Sequence, residues 1–112
     1  MPDARTTFAA VDAQDVDALA ALFSEDGRLI FGNREPLVGR AAVIAGNKEF
    51  FQLVRGVRHR LRNEWTVGAE TIAETEVTYT RLDGTEVTVP AVSIWRVDGE
   101  RISMTSTGSL AM

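Results

Sequence analysis

The spacing of apolar residues divides the chain into two parts, a helical pattern before about residue 56 and a strand pattern after it. Near the N-terminus this spacing predicts a helical hairpin that is broken near Gln14, with Asp15 as the N-cap of its second helix. The apolar residues recur at steps of three and four: Phe8, Val11, Val16, Leu19, Leu22 and Phe23.

A strand and a third helix are predicted to follow the hairpin. The SEDG segment at 24–27 is expected to end the hairpin, and RLIFGN then predicts a first strand that reaches Asn33. Pro36 and Gly39 bound a loop, and Gly46 lowers the stability of the next helix by roughly 1 kcal/mol relative to alanine. That third helix is expected to end near Gly56, and its apolar residues are Ala41, Ala42, Val43, Ile44, Phe50, Phe51 and Val54.

From Val57 onward the apolar period is two, which predicts an antiparallel meander. A three-residue loop at 82–84, with Gly84 in a left-handed conformation, makes one sheet face consistently apolar. The resulting pairs are Tyr79 with Val87, Val77 with Val89 and Thr75 with Ala91.

The same reasoning predicts the registers of the two remaining hairpins. It favours a three-residue loop at 68–70 and a two-residue loop at Asp98 and Gly99. The inward-facing pairs are then His59 with Tyr79, Leu61 with Val77, Asn63 with Thr75, Trp65 with Ala73, Trp95 with Ile102 and Ser93 with Met104.

Arginines alternate with these inward residues and are therefore expected on the outer face of the sheet. There Arg62 falls opposite Glu76, an ion pair worth a few tenths of a kcal/mol when exposed. Pro90, Val92 and Ile94 share this face and would form an exposed apolar patch on a monomer. The outer face is therefore either a solvated surface or the interface of a homodimer.

Composition limits the function further. At 112 residues, 45% hydrophobic and 25% charged, the chain is expected to form one globular domain, residues 1–112. The absence of long apolar runs and of a signal-peptide pattern in MPDARTTF predicts a cytoplasmic protein with no membrane partner. Without cysteine there are no disulfides or thiolate zinc sites. A net charge of −4 with dispersed arginines argues against nucleic acid as a partner.

The order of elements resembles the nuclear transport factor 2-like superfamily, in particular its SnoaL-like branch of polyketide cyclase-type and ketosteroid isomerase-like proteins. Three stretches carry the resemblance: DVDALAALFSEDGRLIFG, VGRAAV and VTYTRLDGTEVTVPAVSIWRVDGERI. The resemblance implies an α+β fold, a cystatin-like cone in which three N-terminal helices pack on a strongly curved, mainly antiparallel sheet. It also implies a largely apolar pocket and usually a homodimer formed through the outer sheet face.

The catalytic residues of that branch have no counterpart in this sequence. The first-strand aspartate of ketosteroid isomerases falls among Leu29, Ile30 and Phe31, and the last-strand aspartate of the cyclases falls in STGSL. The aspartate-arginine-aspartate set of limonene epoxide hydrolases is not found at inward strand positions either. The resemblance therefore implies a pocket but none of these specific activities.

Among the expected pocket residues, His59 is the one group that titrates near neutrality. With His59 as general base and Tyr79 as hydrogen-bond donor, the pair could transfer a proton next to a carbonyl. The alternative is that His59 is a hydrogen-bonded core residue and that Tyr79 only packs. The other residues expected to line the pocket are Asn63, Trp65, Thr75, Ser93, Trp95, Met104 and Phe31, with Ser106 as a further polar group.

No cofactor is expected. A metal site is excluded because the chain has one histidine and because Glu74 and Glu76 are predicted to face outward. No glycine-rich phosphate loop follows a strand. Two functions remain open: a cofactor-free isomerase, cyclase or lyase-type enzyme acting on a small apolar, carbonyl-bearing molecule, or a non-catalytic ligand-binding or dimerisation domain.

Overall fold

The computed structural model describes residues 3–32 and 34–109. It contains helices α1 (Ala4–Asp12), α2 (Val16–Leu22) and α3 (Arg40–Leu53). The strands are β1 (Phe23–Phe31), β2 (Leu37–Val38), β3 (Val54–Val67), β4 (Glu70–Arg81), β5 (Glu86–Asp98) and β6 (Arg101–Ser109). The predicted α+β class and its three N-terminal helices are confirmed, while Asn33, the predicted end of the first strand, lies outside the described residues.

The six strands form a single mixed sheet in the order β2-β1-β6-β5-β4-β3. All neighbouring strands are antiparallel except β1 and β6, which are parallel. Helix α1 packs on the edge strand β3, and α3 packs mainly on β1. The helices therefore cover one face of the sheet and leave the other face outside.

Local sequence signals explain the helical hairpin as predicted. The Asp3 carboxylate caps α1 by accepting from the Thr6 backbone N at 2.8 Å, and Asp15 caps α2 by accepting from the Ala18 backbone N at 3.1 Å. Between them, Gln14 has a left-handed backbone, φ 54°. The hairpin ends at Leu22, just before SEDG, but the first strand begins earlier than predicted, at Phe23, and it includes this segment through an irregularity in its register with β6.

The predicted β4–β5 hairpin is confirmed. Gly84 has φ +90°, the Arg81 backbone N donates to the Thr85 carbonyl at 2.8 Å, and Tyr79 lies opposite Val87. The two other predicted registers were wrong. The β3–β4 turn has only Gly68 and Ala69 between paired residues, and the β5–β6 turn lies one position later than predicted, between Asp98 and Arg101.

The main core lies where α1 and the C-terminal half of the sheet meet, around the fully buried Trp95 and Ile102. A smaller apolar cluster, centred on Val57 and Val77, continues it toward the β4–β5 turn. Gly46 of α3 packs closely on the Leu37 side chain of β2, which a β-carbon at this position would displace. Within residues 3–32 and 34–109, no helix is long and apolar enough to cross a membrane.

Candidate functional site

An open cleft of about 720 Å³ lies at the end of the sheet where α3 runs directly into β3. The last turn of α3 forms one wall, the ends of β1 and β4 and the start of β5 form the others, and the β4–β5 turn forms part of the rim. The lining residues are Phe31, Phe50, Leu53, Val54, Tyr79, Arg81, Leu82, Asp83 and Val87. Because most of these side chains are apolar, the cleft suits an apolar molecule.

Aromatic rings form the centre of the cleft wall. The ring of Phe50 lies 6.0 Å from that of Tyr79 at 83°, an edge-to-face contact, and 6.3 Å from that of Phe31. Phe31, Leu53 and Leu82 at the mouth are 42%, 61% and 61% exposed. The cleft therefore continues into an apolar mouth.

Tyr79 places a single hydroxyl group in this apolar wall. Its hydroxyl has no hydrogen-bond partner among residues 3–32 and 34–109. Burial raises the pKa of the Tyr79 phenol above its ordinary value of 10.0. The phenol is therefore neutral at physiological pH and available as a hydrogen-bond donor to a molecule in the cleft.

His59 lies farther along the inner face and is held by α1. Asp12, the last residue of α1, accepts from the His59 backbone N at 3.0 Å through Oδ2, and its Oδ1 lies 2.6 Å from His59 Nδ1. The imidazole stacks on Phe8 with ring centroids 4.4 Å apart. In the tautomer in which Nδ1–H donates to Asp12, Nε2 is the ring nitrogen with a free lone pair.

The predicted direct pairing of His59 with Tyr79 was wrong. His59 lies opposite Val77, and Tyr79 lies opposite Val57. Two details of β3 cause the shift: the shorter β3–β4 turn, and a bulge between Leu61 and Asn63 that changes the register partway along the strand. His59 and Tyr79 are diagonal neighbours on one face, roughly 7–8 Å apart at the backbone.

The same bulge moves two predicted pocket residues to the outer face. Asn63 lies opposite Glu74 and donates to its Oε1 at 2.6 Å, and Trp65 lies opposite Ile72 with 49% of its surface exposed. On β6, the changed turn together with a register shift between Arg96 and Val97 places Met104 opposite the exposed Arg96 rather than Ser93, and Ser106 opposite Ile94. These four residues therefore do not share the inner face with Tyr79.

Three further predicted pocket residues face inward but lie in the packed core. Thr75 and Trp95 are fully buried, and Ser93 is hydrogen-bonded through its Oγ to Thr107 Oγ1 at 2.9 Å. Of the predicted site, only Phe31 and Tyr79 line the cleft.

Sequence reasoning missed several residues of the site. Asp12 is one of them, because no signal in the sequence connects it with a histidine 47 positions away. Phe50 and Leu53 had a usable signal, because their spacing places both on one face of α3 near its end. Within the described part of the chain, no group of three or more histidine, aspartate or glutamate side chains could hold a metal ion.

The outer face of the sheet carries an apolar cluster beside charged residues. The outer-face cluster consists of Trp65, Ile72, Pro90, Val92 and Ile94, and in register Trp65, Ile72 and Ile94 lie side by side on three strands. The predicted Arg62–Glu76 ion pair is confirmed at 3.3 Å, and Arg60 also contacts Glu76 at 3.2 Å.

The sequence profile of the SnoaL-like domain matches residues 4–104, and the chain belongs to this family. Its fold is that of the nuclear transport factor 2-like superfamily, whose members include cyclases, isomerases and epoxide hydrolases. A search of curated proteins finds no match to the sequence.

Solved structures with the same fold are distant in sequence. A hypothetical protein with a ketosteroid isomerase-like fold from Catenulispora acidiphila, in complex with trimethylamine, has TM-score 0.85 and 19% identity over 92% of this chain and 81% of its own. A protein from Jannaschia sp. CCS1, provisionally called a SnoaL-like polyketide cyclase, has TM-score 0.83 and 18% identity over 95% and 81%. An M. tuberculosis epoxide hydrolase of the LEH-like type has TM-score 0.82 and 15% identity over 94% and 77%. These identities establish the fold alone.

Proposed function

We propose that this SnoaL-like domain binds a small apolar, carbonyl-bearing molecule in the cleft between α3 and the β4–β5 turn. The observation that carries the proposal is the Tyr79 hydroxyl, a neutral donor in an apolar wall with no hydrogen-bond partner in the described part of the chain. Burial of apolar surface supplies most of the affinity, and the phenol selects a ligand with an acceptor oxygen. The complex of the C. acidiphila relative with trimethylamine supports small-molecule binding by this fold.

The test compares a ketone with an isosteric alkene that lacks the acceptor. We expect the protein to bind trans-2-decalone more tightly than 2-methylenedecalin, measured by displacement of a fluorescent probe from the cleft. Tyr79→Phe should weaken ketone binding roughly 3- to 10-fold, because one neutral hydrogen bond is lost, and should leave alkene binding unchanged.

A matched control removes a hydroxyl from the neighbouring position of the same strand. Thr78 faces outward, where its Oγ1 lies 2.9 Å from that of Thr88, so Thr78→Val should not change the affinity for either compound. Equal affinities for the ketone and the alkene in the unmodified protein would count against Tyr79 as the ligand donor.

Acid–base catalysis is a second candidate function, favoured by one observation. The 2.6 Å contact between Asp12 and His59 Nδ1 orients the imidazole, and with the proton on Nδ1 its Nε2 could act as a base. With a ketone held by Tyr79, such a base would remove a proton from the carbon next to the carbonyl. His59 does not line the cleft, and its ring is covered on one side by Phe8, so binding without catalysis is the better-supported function.

We also propose that a second copy of the chain covers the outer-face cluster. Water contact with so many apolar side chains on one sheet face is unfavourable, and Trp65 alone is 49% exposed. The same face carries both signs of charge, with Arg60 and Arg62 beside Glu74 and Glu76. A surface with both charges and an apolar centre is self-complementary under two-fold symmetry.

A further inference from the structure

The rim of the cleft differs in charge from its interior. Arg81, at the end of β4, lines the cleft. Arg55, at the start of β3, lies over the β4–β5 turn, since its Nη1 is 3.8 Å from the position a β-carbon would occupy at Gly84. Arg81 thus borders the opening, and Arg55 lies beside the turn that forms part of its rim.

Neither guanidinium forms an ion pair with a carboxylate in residues 3–32 and 34–109. Among the described residues, Arg81 forms one side-chain hydrogen bond, a long one of 3.4 Å to Thr85 Oγ1. The other arginines of β3 differ in this respect, because Arg60 and Arg62 both contact Glu76. The rim arginines thus keep their donors for another acceptor.

Asp83 is the one carboxylate that lines the cleft, and its oxygen is already engaged. Its Oδ1 accepts from the Thr85 backbone N at 2.9 Å and from Thr85 Oγ1 at 2.6 Å. These hydrogen bonds from Thr85 hold the pKa of Asp83 below its ordinary value, so the group is an anion that stabilises the turn. Glu86, the other carboxylate at this turn, accepts from Thr80 Oγ1 at 3.2 Å. Both carboxylates are therefore engaged by threonine hydroxyls, whereas Arg81 and Arg55 have no carboxylate partner among the described residues.

We propose that the ligand of the cleft is an amphipathic anion, with an apolar body against Phe50 and Tyr79 and a carboxylate or similar anionic group at Arg81 and Arg55. This inference rests on the proposed function and adds a charge to the ligand. The carbonyl oxygen would face Tyr79 inside the cleft, and the anionic group would lie at the rim, where water and guanidinium groups both solvate it.

Two probes with nearly the same aromatic body test whether the cleft prefers a ligand that carries a negative charge. 1-Anilinonaphthalene-8-sulfonate is an anion, and N-phenyl-1-naphthylamine is its neutral counterpart. We expect the double variant Arg55→Gln with Arg81→Gln to weaken sulfonate binding about 5- to 20-fold while neutral binding changes less than about twofold. Arg101→Gln, an equivalent change at the β5–β6 turn, should leave both affinities unchanged.

The outcomes separate this inference from the proposed function. If the neutral probe binds in the cleft and the double variant binds the sulfonate as tightly as the unmodified protein does, the anionic ligand is overturned and the cleft function stands. Failure of the sulfonate alone to bind would overturn the anionic ligand, whereas failure of both probes to bind, or of trans-2-decalone to displace a bound probe, would overturn both proposals. Tighter binding of (naphthalen-1-ylmethyl)trimethylammonium than of the sulfonate would also reject an anion in favour of a cation held by the aromatic rings.

Discussion

Replacing Ile94 with aspartate should convert the protein from a dimer to a monomer. Ile94 lies in the middle of the outer-face cluster, directly beside Ile72, so the new carboxylate would be buried against the apolar surface of a second copy. Because an unpaired buried charge costs several kcal/mol, dimer affinity should fall by more than about 100-fold. Sedimentation at about 100 µM protein should then show a dimer for the unmodified chain and a monomer for the variant.

A matched control is Val38→Asp, the same kind of change at an exposed valine of β2, far from the cluster along the strand order. This variant should remain dimeric. Trp65 provides a second readout, because its half-exposed indole should give a more red-shifted emission in the monomer, whereas Trp95 is fully buried in either state. A monomeric unmodified chain at the same concentration would remove the basis for the interface.

Removing Asp12 should lower the free energy of unfolding by roughly 1 to 3 kcal/mol, because the His59 backbone N and Nδ1 both lose their acceptor. Urea unfolding of Asp12→Ala measures this effect. Glu49→Ala, on the exposed surface of α3, should stay within about 0.5 kcal/mol of the unmodified protein.

Asp12 and His59 also allow the candidate acid–base catalysis to be tested. If Nε2 is a general base, the unmodified protein should accelerate deuterium exchange at the carbons next to the carbonyl of trans-2-decalone, and His59→Gln should slow it by roughly two to four orders of magnitude. A structural His59 instead gives exchange at the buffer rate in every variant, with a loss of stability in both Asp12→Ala and His59→Gln. Variants that keep full stability and full activity would leave the pair with neither role.

The sequence was most informative where one local signal determines the structure. Asp15 and the break at Gln14 follow from capping chemistry, and the β4–β5 register follows from Gly84 together with the alternation of apolar residues on both sides of it. In each of these cases the residues that fix the geometry are neighbours in the chain, so their pattern can be interpreted without tertiary information.

The candidate site was harder to predict because it depends on a one-residue register change. A bulge between Leu61 and Asn63 exchanges the inner and outer faces of β3, and nothing in the alternation of arginines with other residues marks its position. Trp65 shows the consequence, since it was expected in the pocket and lies on the outer face. Asp12 shows a second limit, because its partner His59 is brought to it only by the packing of α1 on β3.

Tyr79 has two properties that make the central claim directly measurable. It is the only tyrosine in the chain, so absorbance near 295 nm follows its ionisation alone. Its burial raises the pKa, so the phenol contributes stability that is fully present below pH about 10 and is lost as the pH rises through the folded-state pKa. Circular dichroism across the titration would define the range in which the protein remains folded.

The most direct test of ligand binding through Tyr79 is this titration with and without trans-2-decalone. We expect Tyr79 of the free protein to titrate above 10, and the ketone at about ten times its Kd to raise the apparent pKa by roughly half a unit, because the ketone loses its hydrogen bond and binds about 3- to 10-fold more weakly once the phenol gives up its proton. A Tyr79 pKa that does not change while the ketone is shown to be bound would contradict the account.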